Sequence, residues 1–431
     1  MTKYNRLFLF LALLMVTCTV STAEDLGLSD AIDIALETNY DIRIVQSNVE
    51  IAETGNTWGA AGRLPTISFG LSSINRANFN ETSDNTSLTL SPDVTLNWVL
   101  FNGFAIRTRK ERLDTFEKLS RGNAAYLVEQ TVQSVVLAYY KALFEQEKLE
   151  VLGQVMSLSQ DRYDYMQMRK EIGSSVTYDV LQAKNAWLED KSAVLLQEVT
   201  LENAVRDLRY LMGISEETDY TFTDEFSAEL NDYQWQPLND KMLSNNTTLR
   251  NQYLNQVLRE KEITLAKSLF FPRVTMNSGL DANSNRLKHE GAPWTDSNSW
   301  SASANFILSY SLFDGGAKKR ALRIAKIEED TGRIEIDEMK HSLTNQLAKL
   351  LDLYDVRKDL LNVADENRET AQLNLQISED KFRAGTINSF NYRDVQLIYL
   401  NASLGRLQAI YNLIDSDTAL ARLTGGIVTE K

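Results

Sequence analysis

The chain carries one architecture twice. Leu100-Phe101-Asn102-Gly103 recurs as Leu312-Phe313-Asp314-Gly315, a spacing of 212 residues that also maps Gly173 onto Gly385 and Leu211-Met212-Gly213 onto Leu423-Thr424-Gly425. Upstream, Asn39 matches Asn246 and Leu64-Pro65 matches Phe271-Pro272 at a spacing of 207, so the five extra residues of the second copy lie between Pro272 and Phe313. A tandem repeat of this length, with one order of elements in each half, restricts the fold to two equivalent units.

Lys3 and Arg6 precede an apolar run from Leu7 to Val16 and then Ser21-Thr22-Ala23, so residues 1-23 read as a secretory signal peptide, too short for a spanning helix. Cys18 offers a second reading, a lipidated N-terminus, but Thr17 fits that motif poorly and cleavage after Ala23 is preferred. Loss of the leader removes the one cysteine, and with it any disulfide or thiolate metal site. It also removes two positive charges and no negative ones, which takes the net charge from −14 to −16. Such a chain has no electrostatic footprint for nucleic acid. No later run reaches about 18 apolar residues, so a membrane role has to come from strands or from the surface.

Ser29 is positioned to cap a helix with Ala31, Ile32, Ala35 and Leu36 on one face. A second helix is predicted from Asp41 to about Ala61, with Gly55 and Gly59 weakening its end and Pro65 stopping it; its counterpart runs from Thr248 to Leu269. After each proline the apolar period changes to two. Leu88, Leu90, Val94, Leu96, Trp98 and Leu100 alternate with polar residues, as do Trp300, Ala302, Ala304, Phe306, Leu308, Tyr310 and Leu312. Shorter strands through Ile67, Phe69 and Leu71 and through Val274, Met276 and Leu280 precede them, joined by polar linkers 76–86 and 285–299 into hairpins. Pro92 predicts a bulge or a break in its ladder.

Helical periodicity then returns in two proline-free segments, 104–171 and 317–384, each long enough for about 100 Å of helix. Leu343, Leu347, Leu350, Tyr354, Leu361, Ala364, Ala371, Leu375 and Phe382 form a coiled-coil seam, and Val135, Ala138, Ala142, Leu149, Leu152, Met156, Tyr163 and Met166 step alike in the first copy. Each segment ends at a glycine, after which a shorter helix returns. The predicted organisation is a first repeat over 24-214 with a barrel hairpin at 65-101, an acidic, irregular, equatorial linker at 215-240, and a second repeat over 241-431 with a hairpin at 272-313.

Four amphipathic strands cannot rest in a bilayer as an open sheet, because both edges would leave backbone groups unsatisfied in hydrocarbon. Closure therefore needs further copies of the chain. Two copies give eight strands and a filled interior, whereas three give twelve and room for water, which suits the wet inner face. Trp98, Phe101, Trp300, Tyr310 and Phe313 suit aromatic girdles at the two membrane surfaces, with plain packing at strand ends as the alternative.

The whole of the chain after the leader resembles the TolC family of outer-membrane efflux proteins. The resemblance rests on Leu28-Ser29-Asp30-Ala31, Ala35 to Asn39, the Leu64-Pro65 and Phe271-Pro272 strand entries, the Phe313 to Gly316 turn and the glycine-centred tips. It implies a mainly α protein with a membrane β-barrel: a trimer whose twelve-stranded barrel, four strands per chain, continues into a long α-helical periplasmic tunnel. It also implies a periplasmic adaptor and an inner-membrane pump or exporter as partners, and the outer membrane as location. Adaptor docking and gating then fall at Gly173, Asp179, Gly385, Thr386, Asn391 and Asp394. Relatives carry aspartates six and nine residues after the second glycine, of which this chain keeps Asp394 and replaces the other by Asn391. Ile387 and Phe382 stand where relatives have an arginine and a tyrosine that hold the gate shut. Each site residue has a plainer reading beside this one: the glycines as helix stops, Asp179 and Asn388 as caps, Asp394 as part of a solvated helix face.

His289 and His341 have no partner ligands at metal-site spacing, and no phosphate-binding glycine loop occurs. The expectation is therefore no enzyme and no cofactor, with transport driven by a partner. A passive export conduit is the leading function; a structural or adhesive envelope protein without a conducting lumen is the alternative. The cargo is not legible.

Overall fold

A computed structural model describes residues 24–79, 84–215 and 220–427; the leader and Cys18 lie outside them. Strand β1 (Glu24–Leu26) leads into helices α1 (Leu28–Thr38) and α2 (Tyr40–Gly55), then strands β2 (Thr66–Asn78) and β3 (Asn85–Asn102). Helix α3 (Ala105–Glu171) runs out and α4 (Thr177–Met212) returns. After β4 (Tyr220–Phe222) the order repeats as α5 (Trp235–Asn245), α6 (Thr247–Ser268), β5 (Arg273–His289), β6 (Thr295–Ser309), α7 (Ala317–Arg383) and α8 (Ser389–Leu423). The two long helices have the same length, 67 residues. No helix of the described residues is long and apolar enough to cross a membrane.

The repeats are clamped by the same chemistry. Asn39 accepts the backbone N–H groups of Asp41 and Ile42 at the start of α2 and donates its amide to the Leu211 carbonyl at 2.7 Å. Asn246 accepts from Leu249 at the start of α6 and donates to the Leu423 carbonyl at 3.0 Å. One side chain thus caps a helix and ties it to the end of the returning helix of its own repeat.

The four long strands form one antiparallel sheet in the order β2-β3-β5-β6, so the repeats meet at β3 and β5, and β2 and β6 are open edges. Pro92 pairs in register with Leu71 on β2, but on the β5 side the ladder lapses between Leu90 and Asp93 without a change of register. A proline lacks the N–H for a second ladder, so the break falls where expected. The register shift itself lies between Val99 and Phe101, where β3 bends toward its helix. Gly103 makes that bend with φ +66, and a β-carbon there would stand 2.5 Å from the Ser268 carbonyl. Phe104 follows at φ 70, the one positive-φ residue besides glycine among those described, held edge-on to the Phe101 and Phe271 rings at 5.4 and 6.1 Å. The second copy places Gly315 and Gly316 at this bend, both with positive φ.

Several expectations change. Gly27, not Ser29, precedes α1, and its N–H is held by the Asp30 carboxylate at 3.2 Å. Helix α2 stops at Gly55 and turns fill the residues before Pro65, because Gly55 and Gly59 make that stretch poorly helical. Strands occupy much of both polar linkers: Asn78 pairs with Asn85 and Leu287 with Thr295, since backbone pairing needs no apolar residues. The five-residue excess therefore extends the second hairpin. Strand β6 ends at Ser309, so Tyr310 and Phe313 lie beyond the ladder. The 215–240 segment is not wholly irregular. Its β4 pairs in parallel with β1, and it enters α5 at Trp235.

That segment is bound to the middle of the helical body. Tyr139 and Tyr354 are both fully buried; Tyr139 donates to the Leu26 carbonyl and the Asp224 carboxylate, and Tyr354 exchanges hydrogen bonds with the Asn231 backbone. In α7 the predicted seam is buried at Leu343, Leu347, Tyr354, Leu361, Ala371, Leu375 and Phe382. In α3 the buried stripe runs through Val132, Val135, Tyr139, Ala142, Val155 and Met166, leaving Leu149, Leu152, Met156 and Tyr163 half-buried.

Candidate functional site at the helical tips

Both tips are built alike. In the first, the Gly173 and Ser174 N–H groups bond back to Lys170 and Arg169 at 2.9 and 2.7 Å; in the second, Gly385 and Thr386 bond back to Phe382 and Lys381 at 3.0 and 2.9 Å. This closes the last turn of each long helix on a glycine in left-handed geometry, with φ 79 at Gly173 and φ 75 at Gly385. Nothing lies within 4 Å of a β-carbon built at either glycine. Gly173→Ala and Gly385→Ala are therefore each expected to cost about 1–2 kcal/mol, from the left-handed backbone alone, measured by thermal unfolding. Gly103→Ala, where carbonyl and ring atoms are already in place, is expected to cost clearly more.

The caps differ. Asn388 accepts the Asn391 N–H at 2.8 Å and caps α8, whereas α4 starts after Val176 with no side-chain cap. Asp179 sits in the first turn of α4, half-buried, and accepts a hydrogen bond from Ser175. It is not the cap. Thr386 turns its hydroxyl onto the Lys381 carbonyl at 2.9 Å, a helix-ending role. Asn391 and Asp394 are exposed on α8, and Asp394 has no ion-pair partner among the described residues.

The two tips lie at one end of the body because a shared apolar cluster joins Met166, Val180, Ala183, Leu375, Phe382, Tyr392 and Tyr399. Phe382 stacks on Tyr392 at 4.8 Å and meets Tyr165 edge-on at 5.1 Å, while the Tyr165 hydroxyl donates to the Arg383 carbonyl at 3.1 Å. Phenylalanine at 382 is thus a ring in this stack. Ile387 packs against the same cluster.

Polar residues unforeseen in the sequence hold α8 in place. Arg393 makes a two-pronged ion pair with Asp190 of α4, both bonds at 2.7 Å, with side chains 14% and 9% exposed. Arg162 of α3, only 4% exposed, donates to the Ser389 carbonyl at 3.1 Å. Burial and the neighbouring Arg393 charge pull its pKa down to about 10, so it stays charged at neutral pH. Gln396, fully buried, donates to the Leu158 carbonyl. A pattern could have revealed two of them: Asp190 falls in the spacing of the buried residues Ala183, Ala186, Gln197 and Ala204, and Arg162 falls between Val155 and Met166. A charged residue in a seam needs a partner.

At the other end, Trp98 donates its indole N–H to the Arg63 carbonyl at 2.8 Å. Trp300 is 80% exposed and pairs with Ala282, far from the helical end of β5 at Arg273. From Arg273 to Ala282 the strand covers roughly 30 Å, or somewhat above 20 Å once tilted as barrel strands are. Trp98 lies level with Met276 and Phe101 with Val274, so Trp300 stands six and eight residues further along the sheet, roughly 20 and 26 Å before any tilt. Tyr310, Leu312 and Phe313 are exposed past the end of β6.

Among proteins of known kind, the sequence matches the family described as outer membrane efflux protein over residues 31–214 and 238–426. The solvent efflux pump outer membrane protein SrpC of Pseudomonas putida is 22% identical over 416 residues, covering 94% of this chain and 86% of its own. The crystal structure of CusC superposes with a TM-score of 0.76 at 17% identity, covering 93% of this chain and 92% of that one. The Campylobacter jejuni CmeC outer membrane channel gives 0.75 at 14% identity, covering 93% and 85%.

Proposed function

We infer the protein's role from a single premise, that this chain belongs to the outer membrane efflux protein family. It is an outer-membrane channel component of an efflux system, seated in the outer membrane with a periplasmic extension. Three copies close one twelve-stranded barrel, and the conduit is passive: a periplasmic adaptor and an inner-membrane pump supply cargo and energy.

The observation that carries this reading is the four-stranded sheet with both edges open. Edge strands of 13 and 15 residues leave rows of unpaired backbone groups that hydrocarbon does not tolerate, so β2 of one copy has to pair with β6 of the next. The helices support the same closure. Leu181, Leu188 and Leu195 form an exposed apolar line on α4, and Val356, Leu360 and Val363 form another on α7. Neighbouring copies cover such lines. At the tips, Ile172, Val176 and Phe390 are all more than half exposed and give an adaptor an apolar surface to grip.

Recordings from the purified protein in a planar bilayer test the conduit. Stepwise conductance is expected; a structural or adhesive envelope protein would show none. Asp394 is assigned to the constriction, where threefold symmetry would bring three exposed carboxylates toward one axis. Asp394→Ala is expected to weaken cation preference, and an unchanged reversal potential in asymmetric salt would remove that assignment.

A further inference from the structure

The foot of the barrel is basic, in a chain whose net charge is −14. Arg107, Arg109, Lys110 and Arg112 crowd the first turns of α3, and Lys318, Lys319, Arg320 and Arg323 crowd those of α7. Neither helix has an acidic residue in its first turn. The helix dipole disfavours cations there, so helix stability does not account for them. Both repeats carry the feature in the same place. Arg63, Arg109, Lys319 and Arg323 have no carboxylate partner among the described residues.

Beside the start of α3 this basic zone opens into a groove of about 390 Å³, lined by Trp58, Arg63, Trp98, Phe101, Phe104 and Arg107 among others. The Arg63 guanidinium lies over the Trp58 ring at 4.7 Å, with the Trp98 indole fixed to the Arg63 carbonyl. Among the described residues Arg107 pairs only with Glu111, and its side chain is 78% exposed. Trp98 and Leu100 belong to the apolar face of β3, so the groove joins a greasy strand surface to two accessible guanidinium groups. Such a site suits an amphiphile with an anionic head.

We propose that this groove binds an anionic glycerophospholipid of the periplasmic leaflet, with the phosphate held by Arg63 and Arg107 and an acyl chain laid along Trp98 and Leu100. The inference rests on the outer-membrane reading above. The occupant is a phospholipid rather than a lipid of the outer leaflet, because the groove lies at the helical end of the strands, opposite Trp300. The basic starts of α3 and α7 extend the attraction around the barrel foot, juxtamembrane cations each adding modestly to affinity for an anionic surface.

The test uses the full protein reconstituted in vesicles of phosphatidylcholine alone or mixed equally with phosphatidylglycerol. Flotation reports insertion, and native mass spectrometry of the extracted particle reports retained lipid. Phosphatidylglycerol is expected to be enriched over phosphatidylcholine, and R63Q/R107Q is expected to lower that enrichment about tenfold or more. R63K/R107K should retain most of it, and R206Q, on the helical body, all of it. Insertion with no preference between the two lipids overturns the inference and leaves the membrane reading standing. Equal loss in the lysine and glutamine variants also overturns it, since packing rather than charge would then be responsible. Failure to insert into either vesicle overturns the membrane reading itself.

Discussion

Arg393→Ala is expected to destabilise the tip by about 3–5 kcal/mol, because it leaves the Asp190 carboxylate buried without its two-pronged partner. The Arg162 charge remains nearby and should hold the loss toward the lower end of that range. Arg393→Leu combined with Asp190→Leu removes both charges and should recover most of the stability, since two apolar side chains replace a pair that was costly to desolvate. Denaturation of the detergent-solubilised protein at fixed concentration measures both. Because the pair joins α8 to α4, Arg393→Ala should also lengthen channel openings in bilayer recordings. A single variant within about 0.5 kcal/mol of wild type would mean that the pair does not hold the tip.

Leu360→Glu together with Val363→Glu is expected to leave each chain folded and to abolish assembly. Both side chains are more than half exposed in one chain, so their replacement disturbs nothing within it. Against a neighbouring copy, each would forfeit about 1.5–3 kcal/mol of apolar burial and add a carboxylate that has lost its water. A threefold assembly repeats that cost at every interface. Leu361→Glu supplies the contrast: Leu361 is 7% exposed inside the chain, so this change should damage the protomer before assembly is at issue. Circular dichroism separates the two outcomes, with native helix content in the double variant and loss in the other.

Much of the framework was legible because it rests on periodicity. The change from period two to helical period located both hairpins and both long helices, and the repeat matched Asn39 with Asn246, which the structure shows to be equivalent clamps. What was not legible depends on contacts between distant segments. The bend at Gly103 needs the approach of Ser268, and Phe104 accepts a strained backbone because two rings flank it. The reach of the strands into the polar linkers was missed because backbone pairing leaves no apolar pattern. At the tips, glycine positions followed from the helix stops, but the union of Arg393 with Asp190 joins residues far apart in sequence. Only the seam position of Asp190 marked them. Asp394 remains a proposal, exposed on the helix that this pair positions.

The conduit requires three chains that seal one another's sheet edges. Native mass spectrometry of the particle extracted in mild detergent counts those chains directly. Three copies of a single polypeptide are predicted; a particle of one, two or four would supply four, eight or sixteen strands and contradict a twelve-stranded barrel.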